Sequence, residues 1–123
     1  MLSSTKKKYM FIIYELGNTG QNVRSVDIAK ALAVKKASVS LMLPKLIEEG
    51  LIERTQNGSI TFTPEGARFA ANLYLQYLTL YQFFKEKLGG THEAARQDAI
   101  CCLCSLTEEA TNGMTDYILA ERS

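Results

Sequence analysis

VRSVDIAKALAVKKASVSLMLPKLIEEG, residues 23–50, runs directly into LIERTQNGSITFTP, residues 51–64, and the change of period between the two decides the fold. In the first stretch Ile28, Ala29 and Leu32 mark a short amphipathic helix. After a brief turn, Val39, Leu43 and Leu46 share one face of a second helix, with Pro44 on its outer side. Gly50 is the residue type that ends such a helix in a left-handed conformation. The second stretch reads as two short strands around Asn57-Gly58, a pair that accepts the positive φ angles of a tight hairpin. Two helices joined by a turn and followed by a hairpin make a winged helix-turn-helix.

Upstream, Tyr9, Ile12, Ile13 and Leu16 recur at helical spacing and predict a first helix that stops before Gly17. Downstream, Thr63 has the character of an N-cap and Pro64 stands at the first helical position, where its missing N–H costs nothing. A long helix is expected from there to about Lys87, before Gly89-Gly90, because Phe69, Leu73, Tyr77, Leu80 and Phe84 follow one face. Leu75, Leu78 and Phe83 widen that stripe beyond what one packing partner needs. Thr91 and Thr107 cap two further helices, about 92–105 and from Glu108 to about Glu121. The expected class is mostly α: a winged helix-turn-helix with a two-stranded β wing over 1–63, and a three-helix dimerisation domain over 64–123. Three helices with so broad an apolar face predict a homodimer.

A chain of 123 residues, 46% apolar, has room for one core or for two small lobes. No apolar run approaches the roughly 20 residues that cross a bilayer, and the Lys-rich start lacks an apolar signal core behind it, so a soluble, cytoplasmic protein without a membrane partner is expected. Net charge is +1, but the average hides a split. Up to Thr63 nine Lys/Arg face five Asp/Glu; from Pro64 five face eight. A basic front and an acidic back suggest that the front meets a polyanion.

In a helix-turn-helix the second helix enters the major groove by its N-terminal residues. That assigns Lys35, Lys36, Ala37, Ser38, Ser40 and Leu41 to double-stranded DNA, with Lys45, Arg54 and Lys6 to Lys8 as phosphate contacts. Ala37 and Leu41 suit apolar contact with a thymine methyl, while no Arg, Asn or Gln stands where bidentate base recognition would use one. An enzyme is not expected: there is no Gly-rich phosphate loop, and the single histidine, His92, has no nucleophile spaced to it.

These elements together resemble the iron- and manganese-dependent repressors of the diphtheria-toxin-repressor type. The resemblance runs from about Lys7 to Leu119 through YMFIIYELGNTG, VDIAKALAVKKASVSLMLPKLIEEGLI, ITFTPEGARFA and LTEEATNGMTDYIL. It implies a homodimeric bacterial transcriptional regulator, a repressor, with a helical dimerisation domain behind the winged helix. It also implies an Fe(II) or Mn(II) site whose ligand positions fall here on Lys8, Tyr77, Tyr81, Arg96, Ile100, Leu103 and Cys104. Those metals take carboxylate and imidazole; two of the seven residues are cations and two have no donor atom. Cys104 alone keeps a good donor, so no Mn or Fe cofactor is expected at the inherited position.

All three cysteines lie in AICCLCSL, residues 99–106, on the helix before the last. Cys101 and Cys104 are three apart and share a face, half of a tetrahedral Zn(II) or Cu(I) site, and a redox sensor is the other chemical reading. Against both, free cysteine normally packs as a small hydrophobe, and no basic neighbour would lower a thiol pKa. A dimeric winged-helix module that binds a protein or ligand without DNA is the remaining alternative.

Overall fold

Residues 2–122 are described by a computed structural model, in which α-helices and one short hairpin follow one another in the expected order. The elements are α1 (Ser4–Gly17), α2 (Ser25–Leu32), α3 (Lys36–Glu48), β1 (Ile52–Arg54), β2 (Ile60–Phe62), α4 (Pro64–Gln82), a π-helical turn (Phe83–Lys87), α5 (His92–Ser105) and α6 (Glu108–Arg122). They divide into two compact units, one up to Ala71 and one from Asn72 on. The expected division at 63/64 lies at the start of α4; the observed one lies within that helix, because its first two turns pack with the winged helix, where Ala70 is fully buried.

In the first unit, α1 buries Tyr9, Met10, Phe11, Ile12 and Ile13. Ile28 of α2, Val39, Leu43 and Leu46 of α3 and Ile52 of β1 complete the core, each at 0–1% exposure. Burial of a side chain of this size contributes about 1.5–3 kcal/mol, so the period read from the sequence is also the source of the unit's stability. The turn between α2 and α3 is made by Ala33 at φ 56°, left-handed without being glycine. It is held by Ala33 N–H donating to Lys30 O and Val34 N–H donating to Ala29 O, at 3.2 and 3.0 Å. Helix α3 runs unbroken across exposed Pro44, and Gly50 turns the chain at φ 75°.

Strands β1 and β2 are antiparallel, with Ile52 opposite Phe62 and Arg54 opposite Ile60. The hairpin differs from the tight two-residue turn expected from Asn57-Gly58: residues 55–59 form a longer loop, and of the pair only Gly58 has positive φ, 87°. Side chains explain the length. The hydroxyls of Thr55 and Ser59 are 2.7 Å apart, and Ser59 Oγ donates to Asn57 Oδ1 at 3.0 Å, closing the loop on itself. A bridge from Val23 to Ile60 adds the α1–α2 connection to the hairpin's edge.

Thr63 caps α4 as expected. Its Oγ1 accepts from Gly66 N–H at 3.0 Å and donates to Gly50 O at 2.6 Å, tying the helix start to the end of α3. Gly66 is required by contact: a Cβ there would lie 1.8 Å from Leu51 O. In the second unit Leu73, Tyr77 and Leu80 of α4, Ala95, Ala99, Leu103 and Cys104 of α5, and Ile118 of α6 are buried. Thr91 and Thr107 cap α5 and α6, accepting from Ala94 and Ala110 N–H at 3.2 and 3.1 Å. The apolar stripe of α4 continues to Phe84, but the helix loosens into the π turn at Phe83, ahead of Gly89 at φ 71°.

Candidate nucleic-acid interface

Helix α3 has two faces. Val39, Leu43 and Leu46 are fully buried, and the residues assigned to DNA on α3 and the wing are all exposed: Lys35, Lys36, Ala37, Ser38, Ser40, Leu41 and Lys45 on or beside α3, and Arg54 on the wing. Ala37, Leu41 and Lys45 recur every four residues and so form one ridge. Leu41 stands 71% exposed, the most exposed large apolar side chain among the described residues. Burial explains neither it nor the charges beside it.

The start of α3 is electrostatically unusual. Its N-cap residue is Lys35, its first turn holds no acidic residue, and Lys36 follows. Cations at a helix N-terminus oppose the macrodipole, each by roughly 0.3–1 kcal/mol when exposed. A phosphate there would reverse the sign, meeting both the lysines and the unpaired backbone N–H groups of the first turn. The arrangement is costly alone and favourable against a polyanion.

The three lysines of α1 do not act alike. Lys6 pairs with Glu49 at 2.9 Å and Lys7 is buried at 5% exposure, so of the three expected phosphate contacts only Lys8 is exposed and without an ion pair among the described residues. Helical period accounts for this, since Lys7 lies three and four residues before buried Met10 and Phe11. Arg24 is the residue that sequence reasoning misses. Exposed at the N-cap of α2, it donates from Nη1 to Asn57 O at 2.9 Å, at the tip of the wing.

The second-unit positions that the resemblance assigns to metal ligands have a different chemistry from that of a metal centre. Arg96 donates from Nη1 to the Tyr77 hydroxyl at 3.2 Å, with its guanidinium carbon 5.7 Å from the centre of that ring. The Tyr81 hydroxyl lies 2.6 Å from His92 Nδ1. Leu103 and Cys104 are buried and Ile100 half-buried, while Lys8, in the first unit, is exposed. Among the described residues no three of His, Cys, Asp and Glu come together. A guanidinium, two phenols and two aliphatic side chains do not fit Mn(II) or Fe(II).

The cysteines are three separate environments: Cys101 exposed, Cys102 half-buried, Cys104 buried, none in a disulfide. Burial pushes the Cys102 thiol up, and the nearby Cys101 and Asp98 push it further. That is the reverse of what a thiolate-based sensor requires. Elsewhere in this unit Leu75 and Leu78 of α4 are exposed, and Phe83, Leu88, Tyr117 and Ile118 line an open apolar groove. No helix among the described residues is long and apolar enough to cross a membrane.

Residues 1–59 match the family described as "Iron dependent repressor, N-terminal DNA binding domain". No curated protein sequence matches the chain. Among solved structures, the manganese regulator SloR is similar over 94% of this chain and 53% of its own, at 24% identity and a TM-score of 0.77. IdeR of T. acidophilum is similar over 95% of this chain and 55% of its own, at 26% identity and the same TM-score, 0.77. A hypothetical protein from Sulfolobus solfataricus is similar over 95% and 89%, at 21% identity and a TM-score of 0.63. The chain therefore spans about half the length of the first two.

Proposed function

We propose that this chain, whose residues 1–59 match the iron-dependent repressor family's N-terminal DNA-binding domain, is a sequence-selective transcriptional regulator that binds double-stranded DNA as a homodimer and represses. The single observation that carries the reading is the outer face of α3, where Lys35, Lys36, Ser38, Ser40, Leu41 and Lys45 are all exposed over a fully buried Val39, Leu43 and Leu46. Lysines and hydroxyls suit the backbone. Ala37 and Leu41 suit the C5-methyl of thymine, the one apolar feature of the major groove. With no Arg, Asn or Gln on the face, base selection rests on methyl contact and DNA shape.

Dimerisation is supported by the uncovered apolar residues of the second unit: Leu75 and Leu88 at 63% exposure, Tyr117 at 66% and Leu119 at 50%. Two copies then present two α3 helices to two half-sites, which is how winged helices of this kind gain affinity. Binding is not controlled by Mn or Fe at the inherited position, because Arg96, Ile100 and Leu103 occupy ligand positions without a donor that such a metal accepts. No enzymatic activity is assigned, and DNA is the partner.

The reading is tested by incubating the purified protein with a pool of random duplexes in the presence of chelator and sequencing the bound fraction. Enrichment of a two-fold symmetric motif is expected. Failure to enrich any sequence, with or without added metal, favours a winged-helix module without DNA binding.

A further inference from the structure

The tip of the wing, Thr55 to Ser59, contains no charged residue, yet two guanidiniums converge on it from different elements. Arg24, at the N-cap of α2, donates to Asn57 O at 2.9 Å; Arg54, at the end of β1, reaches Gly58 O at 3.4 Å. The contact is close enough that a Cβ on Gly58 would lie 3.4 Å from Arg24 Nη1. Arg24 is fixed from both sides. Its backbone N–H donates to Asp27 Oδ2 at 3.0 Å, and the preceding Val23 accepts from Ile60 N–H at 2.7 Å. Both arginines are exposed, and neither pairs with a carboxylate among the described residues.

A guanidinium carries five N–H donors, and the bond to Asn57 O uses one. The remaining side-chain donors of Arg24 have no acceptor among the described residues, while one carbonyl holds the group's position. Such a planar, pre-oriented cation matches a phosphate oxygen pair. We propose that Arg24 is a DNA-contact residue of the wing: carried by the first helix of the motif, it supplies the neutral tip with the charge that engages the phosphodiester backbone. Resting on the DNA-binding reading above, the assignment adds a residue that belongs to α2 by sequence and to the wing by contact.

The test uses the full chain and a duplex selected by the parent protein, with affinity measured by fluorescence anisotropy over a series of KCl concentrations. Arg24→Gln keeps a donor for Asn57 O but removes the charge. It is expected to bind about fivefold more weakly and to lower the slope of log K against log salt by about one, with an unchanged thermal midpoint. Arg24→Lys, which keeps the charge, is expected to retain the parental slope. Arg24→Gln with parental affinity and slope, or Arg24→Lys losing as much slope as Arg24→Gln, overturns the assignment. A parent that selects no duplex sinks the reading beneath it, and this one with it.

Discussion

The Tyr77 hydroxyl accepts a hydrogen bond from Arg96 Nη1 at 3.2 Å, and these are two of the positions that the family resemblance assigns to a transition-metal site. Tyr77 is buried at 4% exposure and the guanidinium lies 5.7 Å from its ring centre. Cation and aromatic ring attract one another, and neither a guanidinium nor a phenol is the carboxylate or imidazole donor that Mn(II) or Fe(II) takes. The pair is a structural contact within the second unit.

That contact has a measurable weight. Tyr77→Phe removes the acceptor and leaves the ring, so it is expected to cost about 1 kcal/mol, the net value of one such hydrogen bond. Leu80→Ala, at a fully buried position of the same helix, is expected to cost about 2–5 kcal/mol through the cavity it leaves. Urea denaturation of both variants checks the order; Tyr77→Phe as damaging as Leu80→Ala would contradict it.

At the junction of wing and long helix the expectation is sharper. Gly66→Ala puts a methyl 1.8 Å from Leu51 O, which is backbone and cannot rotate away. Thr63→Ala loses an N-cap and leaves Gly50 O without its donor, a cost of about 1–2 kcal/mol. Circular dichroism melts should therefore rank Gly66→Ala well below Thr63→Ala, and Thr63→Ala below the parent. A Gly66→Ala protein that melts like the parent would refute the contact.

Much of this was legible in the sequence. Val39, Leu43 and Leu46 were readable because a buried helix face repeats at the helical period, and Thr63-Pro64 because capping chemistry is local. What stayed hidden depends on distance along the chain. Gly66 looks like any early-helix glycine until Leu51 is brought against it, and Arg24 meets Asn57 across 33 residues. The π turn at Phe83 leaves the apolar stripe intact, so periodicity could not mark it. Lys7, expected among three phosphate-contacting lysines, is buried instead, although its spacing to Met10 and Phe11 already carried that burial.

Thymine readout is tested at single-atom-group resolution. Replacing thymine by deoxyuridine in a selected duplex deletes only the C5-methyl. If Leu41, 71% exposed on α3, contacts that methyl, the substitution weakens parental binding and adds little to the loss already caused by Leu41→Ala. Fully additive losses would mean that Leu41 and the methyl do not meet.

Alkaline pH should destabilise the fold. Burial raises the pKa of Tyr9 and, with Cys101 and Asp98, that of Cys102. The folded chain holds these protons to higher pH than the unfolded chain, so their contribution is complete below the ordinary thiol range and is lost as pH rises through the ordinary thiol and phenol values into the raised ones. Urea midpoints measured from neutral to alkaline pH are expected to fall in that window; a flat or rising midpoint would contradict the assignment.

DNA binding that is independent of Mn(II) and Fe(II) separates this winged helix from a metal-activated regulator, and one binding measurement decides between them. Affinity for a selected duplex is measured with chelator present and again with Mn(II) or Fe(II) in excess. The two dissociation constants are expected to agree within about twofold. Binding that appears only with Mn(II) or Fe(II), and that Arg96→Ala or Cys104→Ser abolishes, would contradict it.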